Sequence, residues 1–285
     1  VVMGMLQGLQ RFIAFGVTRA TYAISRLVSA LVIVGLLGGG AIGGVITIPL
    51  GGLVALAMGL ILLGPKVWQR SARLPATMIW DGWRLSLAAL FAYTAFVGLQ
   101  NNDLIWVNRT FEPDVAGAYA SVVVLRRVLA VLPGALLVIL YPRIVARVKG
   151  GRLPDNLLLV TGLAILIIDL TVTIIYFIFG PWIINTMFGP EYQIAAELLG
   201  WMGEAMTGFG LAAIWLNLSL ATRPWPYVFM MLATLLLQTA LLAWRADSLR
   251  YVTFVFVLSG WSLALGGLAL YLVWLRPRLA SSAHL

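Results

Sequence analysis

The stretch "QNNDLIWVNRTFEPDVAGAY", Gln100–Tyr119, decides how this chain is read. It joins two apolar runs, Leu85–Val107 and Val115–Tyr141. Each is long enough to cross a hydrocarbon core, which takes about 20 apolar residues in a helix. Yet the stretch sets three amides and an acid, Gln100, Asn101, Asn102 and Asp103, side by side at the end of the first run. A helical hairpin with polar groups this close to lipid needs a partner or water for each of them.

Working outward, the rest of the chain repeats the pattern. It is 62% hydrophobic and only 10% charged, with a mean hydropathy of +1.00. A soluble domain sits nearer half apolar and a quarter charged. Only helices and closed barrels satisfy their backbone groups in lipid. The apolar runs are continuous and lack strand-like alternation, so the expected class is an all-α membrane protein. We read eight full spans: Val17–Leu37, Ala41–Leu63, Leu85–Val107, Val115–Tyr141, Leu157–Phe179, Ile194–Ala221, Trp225–Trp244 and Tyr251–Leu275, after a partial helix over Val1–Phe15. Gly and Pro mark the expected joints at Gly38–Gly40, Gly64–Pro65, Glu112–Pro113, Gly150–Gly151, Gly180–Pro181, Gly189–Pro190 and Arg223–Pro224. Residues 1–64 thus hold a partial helix and two spans, 65–84 a basic linker, 85–275 six spans and 276–285 a tail.

The formal charge of +9 does not point to nucleic acid. Lys66, Arg70, Arg73, Arg84, Arg143, Arg147, Lys149, Arg152, Arg223, Arg276 and Arg278 all fall on one side if every run spans once. Arg109, Arg245 and Arg250 fall on the other. Eleven against three predicts that the first side, with the C-terminus, is cytoplasmic. Cysteine is absent, which excludes disulfides and thiolate metal sites; His284 in the tail is the single histidine, so a histidine metal site or histidine acid–base chemistry is not expected, and no cofactor is implied. Trp80, Trp83, Trp106, Trp182, Trp225, Trp244 and Trp274 lie near predicted helix ends, as interfacial belt residues do. The Gly38–Gly44 and Gly51–Gly52 pieces read as close-packing positions. The opening "VVMGMLQG" carries no signal-peptide pattern and reads as a piece of a longer chain.

Ionisable groups inside a span are functional candidates. Here they are Arg26, Asp103, Arg126, Arg127, Asp169, Glu197 and Glu204. At about 1.5 Å per residue, Arg126, Arg127, Asp169 and Glu204 lie roughly 15–18 Å from the ends of their runs, near the midplane. Asp103 and Glu197 lie about a turn from the outer surface, within reach of water. Either the central four pair with one another, or they line an aqueous cavity. In the second case at least one of Arg126 and Arg127 faces the cavity and holds an anionic headgroup, because guanidinium matches phosphate oxygens, while the other pairs with Asp169 or Glu204. Asp103, Asp169 and Glu204 are then candidates for ion coupling. Gln100, Asn101 and Asn102 suit a wet cavity better than a lipid face, with helix–helix hydrogen bonding as the alternative. Arg26 snorkels to the cytoplasmic surface or adds to the substrate site.

Several pieces resemble the polysaccharide-transport flippases of the multidrug/oligosaccharidyl-lipid/polysaccharide exporter superfamily. They are "LQGLQRF" (Leu6–Phe12), "NNDLIWVNRTFEPDVAGAYA" (Asn101–Ala120), "LYPRI" (Leu140–Ile144) and "MFGPEYQIAAELL" (Met187–Leu199), in that order. The resemblance implies two lobes of six spans around a central cavity. Leu6–Phe12 then closes the fourth span, residues 1–64 end a truncated N-lobe, and residues 85–275 are a complete C-lobe. It implies translocation of lipid-linked oligosaccharide across the cytoplasmic membrane by alternating access, with Gln100–Asp103 facing the cavity and "EPDVAGAY" forming a tight outer turn. Glycan polymerases or other envelope-assembly proteins are the implied partners, besides the bilayer itself. A cation-coupled multidrug antiporter of the same superfamily is the alternative, although adjacent Arg126 and Arg127 favour an anionic substrate. A membrane-embedded glycan polymerase or ligase fits less well, because the longest outer loop, about Gly180–Gln193, offers only Glu191.

Overall fold

The computed structural model describes residues 2–64, 76–150, 152–222 and 224–282. Among them every regular element is helical, and seven helices are long and apolar enough to cross a membrane. The protein is an all-α membrane protein. It divides into two compact units between Pro75 and Ala76. Lys66, Arg70, Arg73, Arg223 and His284 lie outside the described residues.

The first unit contains α1 (Val2–Gly8), α2 (Phe12–Ala30, running on through a wider turn over Leu31–Leu36) and α3 (Gly40–Leu63). The partial helix expected over Val1–Phe15 is therefore broken before Phe12. Gly43, Thr47, Gly51, Ala55, Gly59 and Leu63 are the buried residues of α3 and recur every four positions. Small residues at this spacing let two backbones approach closely. A Cβ at Gly51 would lie 3.3 Å from the Tyr22 carbonyl, and one at Gly59 only 2.4 Å from Val2. Gly44 and Gly52, by contrast, have open space around them, so only half of each glycine pair serves packing. Gly38 and Gly40 take positive φ (67° and 53°) and turn the chain between α2 and α3.

The second unit contains α4 (Ala76–Thr110), α5 (Pro113–Lys149), α6 (Asp155–Met187), a 3₁₀ segment (Pro190–Leu198), α7 (Leu199–Ala221), α8 (Pro224–Trp244), α9 (Leu249–Leu270, continued by a wider turn over Tyr271–Leu275) and α10 (Arg276–Ser282). Several helices outrun the expected spans. Arg84, Arg143 and Arg147 were expected in loops but lie on helical extensions of α4 and α5. Gly180–Pro181, expected as a joint, lies inside α6, and the break comes at Gly189, with φ 112°.

The span expected at Ile194–Ala221 is split into the 3₁₀ segment and α7. Helix α7 is absent from the seven span-like helices, and its position explains why. It packs against α5, α6, α8 and α9, and most of its residues are buried. A helix walled in by protein does not need a fully apolar surface, so it can carry Glu204, Asn217 and several glycines. A Cβ at Gly208 would lie 2.7 Å from the Gly260 backbone, so α7 and α9 cross almost backbone to backbone. Packing of this kind replaces the hydrophobic effect, which contributes little between helices in lipid.

Two polar bridges show which helix ends share a side. Arg250, starting α9, bonds Glu197 of the 3₁₀ segment at 2.6 Å. Arg276, after α9, bonds Asp155 at the start of α6 at 2.9 and 3.0 Å, and Tyr271 donates to the same carboxylate.

Candidate functional site

The hairpin that opened the sequence reading is formed by α4 and α5, joined through Phe111 and Glu112. Pro113 takes the first helical position, where its missing N–H costs nothing. Antiparallel helices bring the polar ends of this hairpin together. Tyr119 and Arg126 lie two turns apart on one face of α5, and both reach Asp103 on α4. Tyr119 donates to Asp103 Oδ2 at 2.6 Å. The Arg126 guanidinium donates to both carboxylate oxygens, with Nη2–Oδ1 at 3.0 Å, and to the Gln100 carbonyl at 2.6 Å.

Asp103 is 0% exposed and Arg126 only 2%. The guanidinium lies 4.1 Å from the centre of the Phe256 ring of α9, and Nη1 is 3.3 Å from Met202 Sδ of α7. One cation thus ties α4, α5, α7 and α9 together. A guanidinium bonded through both terminal nitrogens, with an aromatic face beside it, suits a dry interior better than an ammonium would.

This arrangement corrects three expectations. Asp103 is not in reach of water but is the buried partner of Arg126. Arg126 is buried rather than lining an open cavity, and it pairs with Asp103 instead of Asp169 or Glu204. The depth estimate failed because it placed Cα atoms and ignored side-chain direction. Side chains lean toward the N-terminus of their own helix, so on antiparallel α4 and α5 they lean toward each other. Arg126 and Asp103 therefore close an axial gap of about 9 Å. Asn102 also departs from the cavity reading. It is buried and donates to Gln238 Oε1 (3.2 Å) and Thr239 Oγ1 (3.1 Å), while Gln238 returns a bond to the Leu99 carbonyl (3.2 Å). It fastens α4 to α8.

Arg127 behaves differently from its neighbour. One residue turns the side chain by about 100° around the helix, and Arg127 is exposed. Its Nη2 lies 3.5 Å from Asn101 Oδ1, at the limit of hydrogen bonding, and Asn101 anchors itself to the Val97 carbonyl at 2.8 Å. Among the described residues no carboxylate pairs with Arg127. Gln100 is half-buried, and the bond it is seen to make is through its backbone carbonyl. Arg26 is exposed on α2 of the first unit.

The remaining acids separate. Glu204 is half-buried on α7, and no arginine pairs with it among the described residues. Asp169 on α6 is 0% exposed, and among the described residues neither of its carboxylate oxygens has a hydrogen-bond partner. Sequence reading missed Tyr119, Gln238, Thr173 and Phe256. Tyr119 left a signal, the seven-residue spacing to Arg126. Gln238 and Phe256 left none, since they meet their partners across more than a hundred residues of chain.

No family model, curated protein or solved structure matches the chain.

Proposed function

We propose that the protein moves an anionic amphiphile, a lipid-linked glycan carrying phosphate, across the cytoplasmic membrane, as the resemblance to polysaccharide-transport flippases implies. The observation that carries this reading is Arg127. It is an exposed guanidinium in the middle of an apolar helix, with an amide beside it and no carboxylate partner among the described residues. An unneutralised charge at such a position is costly unless it meets water or an anion. Guanidinium binds phosphate through two parallel donors, and the Asn101 amide adds capacity for sugar hydroxyls.

In this reading Arg126 and Asp103 are the frame and Arg127 with Asn101 the contact, with Gln100 at its edge. Sodium or proton coupling then falls to an acid other than Asp103, which Arg126 already neutralises. The basic flank of the spans, with the C-terminus, faces the cytoplasm.

Transport of a lipid diphosphate-linked oligosaccharide into the outer leaflet of proteoliposomes tests the reading. Arg127→Ala abolishes translocation with unchanged protein abundance, and Arg127→Lys retains part of it, because the charge stays and the fork is lost. Wild-type rates in Arg127→Ala would remove the basis of the proposal.

A further inference from the structure

Helices α4 and α8 and the end of α9 border a cleft of about 520 Å³ in the second unit. That volume lies within the range of ligand pockets, about 300–1,000 Å³. Its walls are mostly apolar. Pro224, Trp225 and Pro226 come from the first turn of α8, and Trp274 comes from the wider turn that continues α9. Single wide turns of this kind recur at functional sites in helices. Thr222 also lines the cleft, but its hydroxyl is already given to the Leu218 carbonyl (2.8 Å). Arg84 of α4 is the one charged side chain in the lining among the described residues.

Arg84 differs from the other arginines at helix ends. Arg245 pairs with Asp247 (2.9 Å), Arg250 with Glu197 (2.6 Å) and Arg276 with Asp155 (2.9 Å). The Arg84 guanidinium is exposed and pairs with no carboxylate among the described residues. Pro224 and Pro226 have no N–H, so they add no backbone donor to the cleft wall. The donors available to an occupant are therefore those of Arg84. A second cation stands beside the wall, since the Arg278 guanidinium lies 4.1 Å from the centre of the Trp274 ring.

From these features we propose that the cleft holds one anionic phospholipid, with its phosphodiester on Arg84 and an acyl chain along the Trp225 and Trp274 wall. An unpaired cation at the edge of an apolar cleft matches an amphiphile with a negative head. Guanidinium grips two phosphate oxygens at once. The headgroup carries no amine, because no acid lines the cleft among the described residues to receive an ammonium. The cleft also adjoins the Arg276 and Arg278 end of α9, which the basic-loop count places in the cytoplasm. The cytoplasmic leaflet is rich in anionic lipid, and basic pockets between helices on that side bind such headgroups. The inference is independent of the translocated substrate, because its test reads lipid binding rather than transport.

The test is native mass spectrometry of the full chain in detergent, titrated with phosphatidylglycerol or with phosphatidylcholine of the same acyl chains. The expected result is one retained phosphatidylglycerol at concentrations where phosphatidylcholine is lost. Arg84→Ala raises the half-saturating phosphatidylglycerol concentration about tenfold, the loss of one charge-assisted contact, and Arg84→Lys has a smaller effect. Arg109→Ala is the matched control: that guanidinium is also exposed, lies 5.5 Å from the centre of the Trp106 ring and does not line the cleft, so its loss leaves retention unchanged. Equal retention of the two lipids, wild-type retention in Arg84→Ala, or an equal loss in Arg109→Ala would each overturn the proposal. So would displacement of phosphatidylglycerol by an equimolar lipid-linked glycan, which would make the cleft an entry point for cargo.

Discussion

Arg126 and Asp103 close a buried ion pair between α4 and α5, completed by the Tyr119 hydroxyl and capped by the Phe256 ring. A pair this enclosed gains little over an apolar pair, because both charges were stripped of water to form it. Removing one partner is a different matter, since it strands the other charge. Asp103→Ala or Arg126→Ala is expected to cost about 3–5 kcal/mol each. The double change Asp103→Leu with Arg126→Met is expected to cost much less than the sum. Unfolding of the purified protein in mixed micelles measures both. Additive losses would show that the two residues are not coupled.

Asn102 and Gln238 join α4 to α8 through buried hydrogen bonds. Interhelical hydrogen bonds in membranes are modest, about 0.6 kcal/mol on average and up to about 1.7. Asn102→Ala should therefore lower stability by about 1 kcal/mol and leave transport per folded molecule unchanged. If transport fell while the unfolding curve stayed in place, Asn102 would belong to the substrate path instead.

The crossing of α7 and α9 depends on the absence of side chains at Gly208 and Gly260. A Cβ at Gly208 meets the Gly260 backbone at 2.7 Å, and backbone cannot rotate away. Gly208→Ala should cost about 1–3 kcal/mol through overpacking. Gly162→Ala is the matched control. Its Cβ would meet Ile214 at 3.8 Å, an ordinary contact, and alanine favours helix. It should be neutral or stabilising in the same unfolding measurement.

Topology can be read with little engineering, because the chain contains no cysteine. Single cysteines at Asp247, between α8 and α9, and at Arg152, between α5 and α6, occupy exposed positions at opposite ends of the second unit. An impermeant thiol reagent added to intact cells should label the Asp247 site and spare the Arg152 site. The reverse pattern would place the C-terminus outside.

The helical membrane class, the existence of each apolar run and most of the joints were legible in the sequence. Those features follow from length, continuity of apolar residues and local Gly or Pro chemistry, which depend on near neighbours in the chain. The four-residue period of mostly small residues along α3, Gly43, Thr47, Gly51, Ala55 and Gly59, was also there to read. The split of Ile194–Ala221 into a 3₁₀ segment and α7 was not, because a helix enclosed by other helices is released from the apolar composition that marks a span facing lipid.

The sequence by itself determined that Asp103, Arg126, Arg127, Asp169 and Glu204 lie within or near apolar helices and need an account. Only the tertiary structure decided which of them is used up. Arg126 and Arg127 are adjacent in sequence, yet about 100° of helix rotation sends one into a four-helix junction and leaves the other exposed. Asp103 and Arg126 differ in depth by Cα position, yet opposite side-chain lean on antiparallel helices joins them. Among the described residues Asp169 has no hydrogen-bond partner, and the position its Oδ2 meets on α7 is Gly210, which carries no side chain to donate a bond. Partner choice in a bundle is set by rotation, lean and neighbour identity across long chain separations, and none of these is a local property of the sequence.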